Sequence, residues 1–168
     1  MKMDPVIIID NVFSEDHLEN FEKQIKDFNK KGEWFKWDRY GDTNTYCWIL
    51  INRASTYYDI SRLRGYEVWT HHNTKPAGDL DGGSHYDKDE YRWANNKILS
   101  FPVCSLVFYL QAENVVNGEL VVKDISIKPK RNRLVIFGPG NKHRVKDFQG
   151  NRFSVSINPW NRLLEEYK

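Results

Sequence analysis

The chain has 168 residues, 40% of them hydrophobic and 14% aromatic, which suits a single core-forming domain over 1–168 and excludes general disorder. Lys and Arg number 25 against 23 Asp and Glu, so the net charge is +2, too near neutral for a protein that tracks phosphates; nucleic acid is not an expected partner. No apolar run approaches the ~20 residues of a membrane span, and no basic segment leads into an apolar stretch, so neither a membrane nor a secretory signal is expected.

In chain order, Val6 to Val12 reads as a strand from its β-branched run. Ser14 has the character of a helix N-cap, with Glu15 and Asp16 in the first turn. Leu18, Phe21, Ile25 and Phe28 follow at helical spacing, and the helix is expected to stop near Lys31-Gly32. Trp34, Phe35, Trp37, Tyr40, Tyr46 and Trp48 form an aromatic-rich stretch that either packs over a sheet edge or lines a groove for an extended peptide. Strands are expected near 46–52, 66–72, 103–111, 119–123, 133–137, 143–147 and 152–158, with Ala54–Arg64 as a second short helix. The stretches 73–84 and 88–97 read as loops, and 161–168 as a helical or frayed end. Gly65, Pro129 and Gly138-Pro139-Gly140 mark turns, and Asn117-Gly118 is a hairpin cue. The fold class is therefore mainly β with flanking helices, a double-sheet jelly roll or barrel. Cys47 and Cys104 can build neither a disulfide framework nor a zinc finger, so a reducing cytosol is the simplest compartment.

Five histidines are candidates for chemistry. His17 sits in a helical first turn and reads as a surface residue. His71 and His72 are adjacent, so on a strand they face opposite ways and only one can share a site. His85 and Asp87 are two apart, and in extended chain they face the same side. Alone that pattern is weak, and a surface hydrogen-bonded pair is its favoured explanation. The last strand adds weight: Arg152, Ser154, Ser156 and Asn158 share one face, Phe153, Val155 and Ile157 the other. That polar face either looks at water or lines a cavity. A hairpin turning at Gln149-Gly150-Asn151 would bring His143 beside Arg152. Two imidazoles and a carboxylate suit non-haem Fe(II), and a nearby arginine suits the far carboxylate of a bidentate co-substrate.

Taken in order, Ile7-Ile8-Ile9-Asp10-Asn11-Val12-Phe13, His85-Tyr86-Asp87, Ser105-Leu106-Val107-Phe108-Tyr109-Leu110, Asn117-Gly118-Glu119-Leu120, Ile127-Lys128-Pro129, Arg133-Leu134-Val135-Ile136-Phe137, His143-Arg144-Val145 and Gly150-Asn151-Arg152-Phe153-Ser154 resemble the Fe(II)- and 2-oxoglutarate-dependent oxygenases, in their compact prolyl 4-hydroxylase-like branch. The resemblance implies a double-stranded β-helix (cupin-like jelly roll) with His85, Asp87 and His143 as catalytic iron ligands. It also implies that Arg152 binds the distal carboxylate of 2-oxoglutarate, with Ser154 beside it. Departures exist: Asn117 stands for the first of two glycines, and Trp69, His71 or Asn73 stands where a tyrosine is common. Asp87 is a carboxylate, which argues against the halogenase variant.

The implied activity is a dioxygenase that uses Fe(II), 2-oxoglutarate and O2 to hydroxylate a C–H bond of a protein or peptide, with succinate and CO2 as co-products and prolyl 4-hydroxylation as the first expectation. The same chemistry on a small molecule or nucleobase is the alternative; a non-catalytic cupin-like binding module is the third reading. Loops 76–84 and 88–96 are candidate lids. The basic run Lys128 to Arg133 reads as a solvated turn, and oligomeric state is left open.

Overall fold

The computed structural model describes residues 6–26, 32–39 and 44–168. Strand β1 (Ile7–Asp10) leads into helix α1 (Glu15–Ile25), whose Leu18, Phe21 and Ile25 are buried at the expected spacing. Ser14 occupies the N-cap position without a side-chain cap bond. The last turn closes when Lys26 N–H donates to Glu22 O, so α1 ends before the expected stop. Phe28, Lys31 and Tyr40 lie outside the described residues.

Strand β2 (Glu33–Lys36), which was not expected, precedes helix α2 (Thr45–Ala54). That helix replaces the strand expected at 46–52. Its buried residues Cys47, Leu50, Ile51 and Ala54 recur at i, i+3, i+4 and i+7, a helical stripe concealed in an apolar run. The helix expected over Ala54–Arg64 is absent. Ala54 O accepts from both Tyr57 N–H and Tyr58 N–H, and Asp59 then takes Ser61 N–H, which diverts the backbone into turns.

Strand β3 (Gly65–His72) precedes helix α3 (Glu90–Asn96), which occupies the expected loop at 88–97. Asp89 caps it by accepting from Arg92 N–H, and Lys97 ends it in the left-handed region at φ 57°. Strands β4 (Ser105–Asn117), β5 (Leu120–Val122), β6 (Ile125–Ile127), β7 (Arg133–Phe137), β8 (His143–Val145) and β9 (Phe148–Trp160) complete the chain, followed by a 3-10 turn at Glu165–Tyr167.

Two sheets result: six strands in the order β1-β7-β4-β9-β3-β2, and three in the order β6-β5-β8. This is the double-stranded β-helix. Asn117-Gly118 does turn, with φ of 63° and 74°, but it is no hairpin: Asn117 pairs with Phe148, while β5 pairs with β6 and β8 in the other sheet. Nor is there a hairpin at 149–151. Those residues belong to β9, and β8 pairs with β5 instead. Gly150 is required there, since at φ +102° a Cβ would meet Asn114 O at 2.3 Å where β4 bulges.

Alternation divides the large sheet into two faces. Leu106, Phe108, Leu110, Leu134, Ile136, Phe153, Val155 and Ile157 pack with the buried residues of α1 and α2. Val107, Tyr109, Val135 and Phe137 pack against Leu120, Val122, Ile127 and Val145 of the small sheet. The aromatic stretch is packing: Trp34 stacks on Tyr167, Phe35 on Tyr66, Trp37 on Trp48, and Tyr46 on Phe21. The basic turn is tied to the N-terminal elements, with Lys130 and Arg133 on Asp10 and Arg131 on Glu15. No helix among the described residues is long and apolar enough to cross a membrane.

Phe108 is fully buried in the first core, its ring 5.4 Å from Phe13 and 5.8 Å from Phe21. Phe108→Ala is expected to cost about 3–5 kcal/mol in urea unfolding. Ile125→Ala, at a position 49% exposed, is expected to change stability by about 0.5 kcal/mol or less. Equal losses would contradict this division of the core.

Candidate functional site

One isolated bridge builds the centre of the site. His85 N–H donates to His143 O at 2.9 Å and His143 N–H donates to His85 O at 3.0 Å, so residues 58 positions apart stand directly opposite each other. Their rings lie 4.3 Å apart between centroids. Asp87, two residues along the extended segment, turns its Oδ1 toward both: 3.7 Å from His85 Nε2 and 3.6 Å from His143 Nε2. The three ligating atoms all lie within 4.8 Å of one another.

Two of the three donors, His143 and Asp87, are oriented from behind, while His85 Nδ1 is buried without a partner. His143 Nδ1 faces Asn141 O at 2.9 Å, which leaves Nε2 with the lone pair. Asp87 Oδ2 accepts from Ser105 Oγ at 2.6 Å, and the Asn158 amide bonds the same carboxylate. Burial acts to raise the Asp87 carboxyl, but the imidazoles of His143 and His85 and these hydrogen bonds outweigh it and hold it below its ordinary value. Burial, aided by His143, pushes His85 down and keeps it neutral. Neutral imidazoles and an ionised carboxylate are the states a metal requires. A cation with bonds of about 2.0–2.2 Å can bridge donors at such separations, and an N2O set with open positions suits Fe(II).

The other end of the cavity is cationic. Arg152 is only 1% exposed, yet among the described residues no carboxylate pairs with it. Its Nη1 donates to Ser154 Oγ at 3.0 Å, its Nε is buried without a partner, and its guanidinium lies 5.1 Å from the Tyr109 ring and 5.5 Å from the Phe148 ring. Between Arg152 and the triad is a cavity of about 220 Å³. Leu106, Val107, Leu120 and Val145 make part of its wall apolar, and Trp69, Pro76, Tyr86, Lys88 and Glu90 complete the lining.

All five residues expected at the site, His85, Asp87, His143, Arg152 and Ser154, line this one cavity. The route differs from expectation: His143 and Arg152 meet across the two sheets, not within a hairpin. His71 is the member of its pair that joins them, opposite Ser154; burial and then the Arg152 charge push it down to about 4. His72 turns away, stacked on Phe153, and His17 is exposed beside Tyr46. Ser105, Asn141 and the amide role of Asn158 were not anticipated, because none has a sequence signal apart from its neighbours in space. The Lys88 side chain is buried and bonds Asp79 and Glu90 at the edge of the cavity.

Comparisons with known proteins agree with this geometry. The 2OG-Fe(II) oxygenase superfamily profile matches residues 71–160, more than half the chain. A viral collagen prolyl hydroxylase from Paramecium bursaria Chlorella virus-1 has a TM-score of 0.59 at 15% identity, with 92% of this chain and 89% of that one covered. A Pseudomonas putida prolyl-4-hydroxylase gives 0.57 at 14% identity, covering 96% and 90%. A prolyl hydroxylase from Trichoplax adhaerens, solved with a hypoxia inducible factor peptide fragment, gives 0.55 at 16%, covering 94% and 84%. These likenesses are likenesses of fold. No curated protein sequence matches the chain.

A buried cation without a counter-ion costs stability that ligand binding can recover. Arg152→Met is therefore expected to raise the stability of the ligand-free protein by about 1–4 kcal/mol in urea unfolding. The same substitution should abolish the stabilisation that added succinate gives the wild type. A less stable variant still protected by succinate would contradict the reading of an uncompensated charge.

Proposed function

Because the chain belongs to the 2OG-Fe(II) oxygenase superfamily, we propose that it hydroxylates a C–H bond of a protein or peptide, with the prolyl side chain as first substrate. It is a 2-oxoglutarate-dependent dioxygenase, and its cofactor and co-substrates are Fe(II), 2-oxoglutarate and O2. In this reading residues 1–168 act as one oxygenase domain in the cytosol, where the buried free thiols of Cys47 and Cys104 suit a reducing compartment.

The observation that carries the site assignment is the buried Arg152 guanidinium, which faces the same cavity as the His85–Asp87–His143 cluster. A metal-storage or simple binding module has no use for a buried, unpaired cation at this distance from its metal. A dicarboxylate co-substrate does. His85, Asp87 and His143 are the proposed iron ligands, and Arg152 with Ser154 the proposed anchor of the distal carboxylate. Fe(II) held there supplies the redox chemistry that couples decarboxylation of 2-oxoglutarate by O2 to hydroxylation, yielding succinate, CO2 and the alcohol.

The chain's own residues do the rest. Arg152 offers charge-assisted bonds to one carboxylate and so sets the direction in which the co-substrate lies. Asn141 fixes the tautomer of His143, and Ser105 fixes the plane of Asp87. The apolar wall of Leu106, Val107, Leu120 and Val145 keeps bulk water from the reacting centre. Segments 76–84 and 88–96, which give Pro76, Lys88 and Glu90 to the cavity lining and are joined by the Lys88 bonds to Asp79 and Glu90, are the proposed lids. The fold it shares with prolyl hydroxylases supports a peptide substrate, and Trp69, Pro76 and Tyr86 offer the apolar lining a pyrrolidine ring needs.

Incubation of the iron-loaded protein with 2-oxoglutarate, O2 and a panel of prolyl peptides is expected to yield succinate and a +16 Da peptide. His143→Ala should make neither. Arg152→Ala should raise the 2-oxoglutarate KM about 30-fold or more, equivalent to the 2–5 kcal/mol typical of a severed buried charge pair, with iron binding retained. Succinate production at the wild-type rate by His143→Ala would contradict the ligand set. Hydroxylation of small molecules but of no peptide would remove the peptide reading and leave the chemistry.

A further inference from the structure

The polar face of β9 extends past the cavity, and its deeper end holds a carboxyl that the chemistry above does not use. The β3–β9 pairing sets His71 across from Ser154, Trp69 across from Ser156, and Glu67 across from Asn158. Directly opposed residues of an antiparallel pair share a face, with Cβ atoms about 4.5–5.5 Å apart. Asn158 is 2% exposed, lines the cavity with Asp87, and lies near enough for its amide to lower that carboxyl. A carboxylate accepts only, so the amide NH2 must face Asp87 and the amide oxygen must face away. That oxygen, Oδ1, is buried and without a partner.

Glu67 is the group across from it. One carboxyl oxygen of Glu67, Oε2, accepts from Trp160 Nε1 at 3.0 Å. The remaining oxygen can satisfy Asn158 Oδ1 only if it carries a proton, because two bare oxygens would repel. We propose that Glu67 is a positioning residue whose carboxyl donates a hydrogen bond to Asn158 Oδ1 and thereby aims the Asn158 amide at Asp87. Asp87 is then gripped by Ser105 and by the Glu67–Asn158 relay, with Oδ1 left facing the two histidines.

The surroundings favour the proton. Burial pushes Glu67 up to about 8 against the pull of the Trp160 bond, and the charges of Asp87, Glu166 and Asp89 push the same way. The charged neighbours that act on it most strongly are acids. Asp87 and Asp89 come from the segment entering α3, Glu166 and Tyr167 from the C-terminal turn, and β2 places only Trp34 opposite.

The inference rests on Asp87 being a metal ligand only for its functional readout, so the test has two arms. Infrared difference spectra of the metal-free wild type against Glu67→Gln at pH 6.5 should contain a carboxylic-acid C=O stretch, and raising the pH above about 8 should remove it. Titration with Co(II) at pH 6.5 should give Glu67→Gln an affinity within about 2-fold of wild type, since the amide keeps a neutral donor and an acceptor. Glu67→Met, which keeps length but neither function, should bind about 10–100-fold more weakly. Absence of the acid band, or a Glu67→Gln as weak as Glu67→Met, overturns the proposal. An Asp87→Ala control that binds Co(II) like wild type overturns the ligand reading instead, and the infrared band then decides Glu67 by itself. The band also decides it should Glu67→Met fail to fold.

Discussion

A guanidinium taken out of water without a counter-ion is the constraint on which the site depends. Arg152 is held at 1% exposure by one serine hydroxyl and two aromatic rings, none of which can neutralise it. Such a charge is tolerated only if something else gains from it. In the proposed reading the beneficiary is an anionic ligand whose other end reaches the His85, Asp87 and His143 cluster. The cavity is thus electrically asymmetric before anything enters, and that asymmetry decides which way a dicarboxylate lies.

The scaffold that holds the charge also holds the metal donors. Along β9, Phe153, Val155 and Ile157 pack under the helices while Arg152, Ser154, Ser156 and Asn158 face the cavity. A slip of one residue would exchange the two sets, so the hydrophobic core enforces the register of the site. The histidines depend on a different device, the single bridge between His85 and His143 that docks the first ligand segment beside β8. Asp87 is anchored to the large sheet through Ser105 and Asn158. The donor cluster therefore spans both sheets, and their separation sets its width.

Much of this was legible in the sequence where residues carry local signals. The alternation in 152–158, the start of α1 after Ser14 and the turn at Gly138-Pro139-Gly140 are consequences of short-range sterics and burial, and the β-rich class followed from the pattern as a whole. The misreadings share one cause: local pattern was trusted where tertiary packing decides. Tyr46 to Asn52 has strand composition, but the buried positions of the helix that forms there, Cys47, Leu50, Ile51 and Ala54, fall at helical spacing. Asn117-Gly118 has hairpin chemistry, yet β5 finds more to bury by crossing to the other sheet. Helix α3 was in fact signalled by Asp89 before Glu90 and by Lys97 at its end. The five residues that line the cavity as expected were singled out through their order along the chain, since the spacing of His85 and Asp87 alone is a weak signal. Ser105, Asn141 and Glu67 were not, because supporting polar groups are defined by what stands opposite them in space.

The most direct measurement is a crystal structure of the chain grown anaerobically with Fe(II) and 2-oxoglutarate. The account predicts a metal about 2.0–2.2 Å from His85 Nε2, Asp87 Oδ1 and His143 Nε2. It also predicts the co-substrate's far carboxylate within hydrogen-bond distance of the Arg152 guanidinium. A metal bound away from those three atoms, or a co-substrate whose carboxylate leaves Arg152 unpaired, would contradict it.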